Sequence, residues 1–89
     1  MNSILDLSKE DYYRFFHLQQ NYSRATDSKR AERLMDWLMF TMDKLGYEAT
    51  SAIIKKETTA DPMAQLIMLT AVRHHVEKAK TALVKVSNQ

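Results

Sequence analysis

The chain of 89 residues contains no cysteine, a single glycine and a single proline. The missing cysteines exclude a disulfide framework, a thiolate metal site and a cysteine nucleophile, and they suit a reducing compartment. One glycine and one proline leave little turn chemistry for β-hairpins and none for a phosphate-cradling loop. Long apolar runs are missing too: none approaches the ~18 residues of a membrane span, and the first residues lack the basic-then-apolar pattern of a signal peptide. The expected setting is cytoplasmic, with no membrane contact. No repeat, low-complexity tract or linker divides the chain, so it reads as one domain. A domain this small buries only a little over ~60% of the surface of its unfolded chain, so self-association would add useful stability.

What is present is helical periodicity. Ser8 opens the first helix, expected over 9–23, with Asp11 placed for a capping box and Leu7 and Tyr12 at the positions of a hydrophobic staple. Five of the eight aromatic residues lie in this helix. Tyr12, Phe15, Phe16, Gln19 and Tyr22 share a face, with Tyr13 and His17 at its margins. The central helix, 28–45, follows Asp27 as N-cap and ends at Gly46, where a left-handed residue is wanted. Its apolar stripe of Ala31, Leu34, Met35, Leu38, Met39, Met42 and Leu45 spans roughly 140°, enough for one buried side. Trp37 and Phe40 fall outside that stripe. A short apolar stretch, 48–57, is read as helix, because no second segment looks like a strand to pair with it. Asp61 and Pro62 mark the start of the last helix, 62–86, as N-cap and first helical residue. The fold class is therefore all-α, an antiparallel bundle of three long helices and one short one.

The last helix carries two further signals. Leu69, Val72, Val76, Ala79, Leu83 and Val86 repeat at heptad spacing for under three heptads, which suits a bundle or dimer seam. Its first turns, MAQLIMLTA, are apolar nearly all round, which places them in the middle of the molecule or at a subunit contact. Net charge is +2, and the excess sits in this helix, where Arg73, Lys78, Lys80 and Lys85 oppose Glu77 alone.

Catalytic, metal and cofactor chemistry find no support. His74 and His75 are adjacent and point about 100° apart on a helix, so they do not chelate one ion. His75 is expected at the core edge, hydrogen-bonded. Glu32 and Asp36 are ringed by Lys29, Arg33 and Lys44 and read as surface ion pairs. A helix-turn-helix over 47–75 is disfavoured because its second helix would begin with hydrophobic residues where base-reading polar ones belong. The basic residues Arg73, Lys78, Lys80 and Lys85 offer phosphate grip without sequence reading. This makes nucleic acid the second-choice partner.

A protein partner comes first. Six methionines supply adaptable apolar surface. Trp37 and Phe40, beside Arg33 and Met39, are residue types that dominate interfaces when they face solvent, and Tyr13 and Tyr22 of the first helix are further candidates. The other reading of Trp37 and Phe40 is a second layer of core against the first helix. The functional expectation is a small non-enzymatic regulator, adaptor or inhibitor, of the size common in bacteria, plasmids and phages, working as a homodimer or higher oligomer.

Overall fold

The computed structural model describes residues 3–87, with side chains as far as Lys78. A single 3₁₀ turn, Ile4–Asp6, precedes four α-helices: α1 Lys9–Ser23, α2 Asp27–Leu45, α3 Tyr47–Glu57 and α4 Pro62–Ser87. No strand occurs among the described residues, so the all-α bundle read from the sequence is the fold, with helix limits within one residue of expectation.

Local chemistry sets those limits. Ser8 Oγ accepts the Asp11 amide at 3.2 Å, which caps α1. The Asp11 carboxylate lies 3.5 Å from Lys44 Nζ, a link between the start of α1 and the end of α2. A capping box forms instead one turn earlier, where the Ser3 amide donates to Asp6 at 3.0 Å. Helix α2 starts one residue before expectation: Thr26 is its N-cap, and Asp27 stands in the first turn, where a carboxylate suits the helix dipole. Asp61 Oδ1 accepts the Ala64 amide at 3.1 Å and caps α4 ahead of Pro62. Gly46 joins α2 to α3 with φ 93° and ψ −177°, a conformation essentially closed to residues with a Cβ.

The helices pack in chain order, α1 on α2, α2 on α3 and α3 on α4. Each pair is antiparallel. Asp11 of α1 meets Lys44 near the end of α2, while Arg30 near the start of α2 lies over the Tyr22 ring at the end of α1. Similarly, Arg73 of α4 reaches Tyr47 Oη at the start of α3, at 3.4 Å. At 1.5 Å per residue α3 is about 17 Å long and α4 about 39 Å, so α3 covers only part of α4. The radius of gyration, 14.2 Å, exceeds the ~12 Å of a compact chain of this length for that reason.

The core lies where α2 is held between its neighbours. Phe15, Leu18 and Tyr22 come from α1, Leu34, Trp37, Leu38 and Leu45 from α2, Ile54 from α3 and Val72 from α4. Three threonines are buried with them, and each hydroxyl donates to the carbonyl four residues earlier: Thr41 to Trp37, Thr50 to Gly46 and Thr58 to Ile54. That back-bonding satisfies the hydroxyl within its own helix, so these positions pack as small residues.

Candidate functional site

Trp37, expected to face a partner, is 3% exposed and belongs to the core. Its indole meets the Phe15 ring edge-on at 5.6 Å and lies 6.0 Å from the Tyr22 ring. The reason is positional. Helix α2 sits between α1 and α3, so two of its sides are covered and its second set of apolar residues is used inside the monomer. Tyr22, also named for partner binding, is buried with Trp37. Met39 and Phe40 are half-buried and pack on the core. Arg33 is half-buried and lies 3.7 Å from Asp36. Among the expected partner residues only Tyr13 stands out in solvent, 63% exposed.

The expected oligomer seam is likewise directed inward where it is described. Val72 is fully buried, and Leu69 and Val76 are half-buried on the same side of α4. Ala79, Leu83 and Val86 lie outside the described side chains. Of the basic set, Arg73 and Lys78 are exposed, whereas Lys80 and Lys85 again lie outside the described side chains. His17, His74 and His75 are all exposed, so His75 does not occupy the core edge. It lies on the flank of α4, between the buried and the open sides. Among the described residues no group of His, Asp and Glu could hold a metal ion, and no helix is long and apolar enough to cross a membrane.

Among the described residues, two groups of large apolar side chains stand exposed together. On α4, Met63, Leu66 and Ile67 are 65%, 60% and 60% exposed. At 100° per residue they point away from Val72 and share one face with Thr70, Ala71 and His74. Residues 62–71 contain no charge at all. On α1, Tyr12, Tyr13 and Phe16 form an exposed aromatic edge, with Tyr12 and Phe16 rings 5.0 Å apart and Tyr12 and Tyr13 edge-on at 6.1 Å. The buried line of α1 is Phe15, Leu18 and Tyr22, rotated from the expected aromatic face, because Leu18 rather than Tyr12 completes the surface against α2.

Both surfaces were legible in part. Once Leu69, Val72 and Val76 commit one side of α4 to the monomer, the apolar residues half a turn away are left exposed among the described residues. The all-round apolar character of MAQLIMLTA is the signal: one side of the stretch packs on the core through Met68 and Leu69, and the other carries exposed Met63, Leu66 and Ile67.

Among the concave features is an open cleft of about 320 Å³ bordered by Tyr22, Arg30, Leu34, Glu57, Asp61 and Met68. Tyr22 Oη donates to Glu57 at 3.1 Å. Burial, followed by the Glu57 charge and its hydrogen bond, holds the Tyr22 phenol above its ordinary range, while Arg30 pulls in the other direction. Two of the carboxylates here are engaged structurally, Glu57 by Tyr22 and Asp61 by the α4 amide. These contacts fasten the end of α1 to the start of α2 and the end of α3. Compared with known proteins, the chain matches no family model, no curated protein and no solved structure.

Proposed function

We propose that the chain is a small, non-enzymatic cytoplasmic binding protein, an adaptor or inhibitor, that acts by docking another protein chain on apolar helical surface its own fold leaves open. The observation that carries this reading is the exposure of Met63, Leu66 and Ile67 together on a charge-free stretch of α4. Single exposed apolar residues are ordinary, but a contiguous group of large ones marks a contact surface. The aromatic edge of Tyr12, Tyr13 and Phe16 on α1 adds residue types favoured at interface centres.

The test is comparative. The wild-type chain, Leu66→Glu and Tyr13→Ala serve as baits in an extract of the source cells, and each captured protein is purified and titrated against all three. Loss of binding by roughly tenfold or more in either variant, with the helical signal intact, supports the reading. It fails if every captured protein binds all three equally, or if Arg73→Glu with Lys78→Glu removes a co-purifying nucleic acid that accounts for all retention.

A further inference from the structure

We infer that the open face of α4 is a self-recognition surface, on which two copies of the chain pair through antiparallel α4 helices crossing near Leu66 and Ile67. This rests on the reading of that face as a docking surface and names its occupant.

Charge selects a second copy. From Pro62 to Ala71 the helix carries no ionisable side chain, so two such faces meet without stranding a charge, whereas a charged partner surface would find nothing to pair with. Orientation follows from what flanks the stretch. Beyond it lie Arg73, Lys78, Lys80 and Lys85 against Glu77 alone. Parallel helices would set these basic segments side by side. In the antiparallel arrangement they leave in opposite directions.

Shape agrees with this register. With the crossing between Leu66 and Ile67, Met63 of one helix stands opposite Thr70 of the other, a large residue against a small one, at both ends of the contact. Thr70 is suited to that place, because its hydroxyl donates to the Leu66 carbonyl of its own helix at 2.8 Å. The arrangement is two-fold and closed, with each patch meeting itself. Three large side chains from each copy fall short of the ~1,200–2,000 Å² of a standard stable interface, so the dimer is weak and concentration-dependent.

The experiment is sedimentation of the full chain from about 10 μM to about 1 mM, a range that brackets an affinity of this class. The mass should climb from 10.4 kDa toward twice that value. Leu66→Glu and Ile67→Glu should each raise the dimer dissociation constant roughly tenfold or more, and Tyr13→Ala should leave it unchanged.

Because the chain has no cysteine, one introduced thiol reports the geometry. Ile67→Cys lies beside its own counterpart in the antiparallel pair and should form a disulfide dimer on oxidation. Lys78→Cys is separated from its counterpart by about 35 Å along the axis and should not. Equal cross-linking at both positions overturns the antiparallel pairing. A monomer at every concentration, with no Ile67→Cys cross-link, overturns self-recognition itself. Docking of a different protein on the same face is then still judged by the loss of capture in Leu66→Glu, so the two failures are told apart.

Discussion

Helix α2 and the first turns of α4 pose the same problem in sequence, since each has more apolar residues than one buried face can hold. The structure resolves them in opposite ways. In α2 the surplus residue Trp37 is 3% exposed, because α1 and α3 close on two sides of the helix. In α4 the surplus residues Met63, Leu66 and Ile67 remain at least 60% exposed, because α3 packs on one side and no other described helix packs substantially on the opposite one. Apolar excess therefore does not by itself distinguish core from interface. The number of packing neighbours does: a helix held between two others has two covered sides, and a helix packed on one neighbour has only one.

The strongest way to break this comparison is to truncate the residue on which the α2 side rests. Trp37→Ala should lower the unfolding free energy by about 3–5 kcal/mol, since it opens a cavity between Phe15 and Tyr22. Against a total of about 5–15 kcal/mol for a small domain, that leaves a chain close to unfolding. Denaturant titration followed by helical circular dichroism measures it. Trp37→Phe should lose much less, because it keeps an aromatic ring in place and removes an indole N–H that is buried without a hydrogen-bond partner. A folded Trp37→Ala of undiminished stability would return Trp37 to the surface and dissolve the contrast.

Next in size is the hinge that folds α3 back onto α2. Gly46→Ala meets no atom within 4 Å at the added Cβ, so its cost is purely that of the backbone at φ 93°. A loss of about 1–3 kcal/mol is expected, read from the same titrations. Smaller still is the fastening at the other end of the bundle. Tyr22→Phe removes the hydroxyl that donates to Glu57 and should cost about 1 kcal/mol at neutral pH. It also has a pH signature. The folded state holds the Tyr22 phenol protonated more firmly than the unfolded chain does, so its contribution is complete below pH ~10 and is lost as pH rises through the elevated value. The alkaline fall in stability should be shallower in Tyr22→Phe than in the wild-type chain.

How much of this was legible in the sequence depends on the range of the interactions. Helix limits are set by neighbours in the chain: Ser8, Gly46, Asp61 and Pro62 each act within one turn and marked their elements within a residue. The inward set of α4 was legible too, since Leu69, Val72 and Val76 repeat at helical spacing, although spacing alone did not say whether they meet the same chain or another. For Trp37 the sequence left core and interface both open, because a helical wheel of α2 records the width of the apolar surface and not the number of helices against it. Tyr12 and Phe16 were assigned to one face with Phe15 by helical spacing, yet Leu18 completes the buried line of α1. The surface on α4 required subtraction. Only when Val72 is known to be buried do Met63, Leu66 and Ile67 become residues that the fold leaves open.

The smallest expected change in stability is also the one that sharpens the comparison furthest. Ile67→Ser removes an isoleucine as bulky as many in the core, but one that is 60% exposed. At low protein concentration it should therefore shift the unfolding free energy by less than about 0.5 kcal/mol, as surface substitutions do. Raising the concentration separates wild type from variant. If a second copy covers the α4 face, association adds to the stability of the folded chain by mass action, and the wild-type unfolding midpoint climbs with concentration. In Ile67→Ser it should stay nearly fixed. The apolar excess of α4 would then be buried as that of α2 is, with the covering helix supplied by another molecule instead of by the next segment of the same chain.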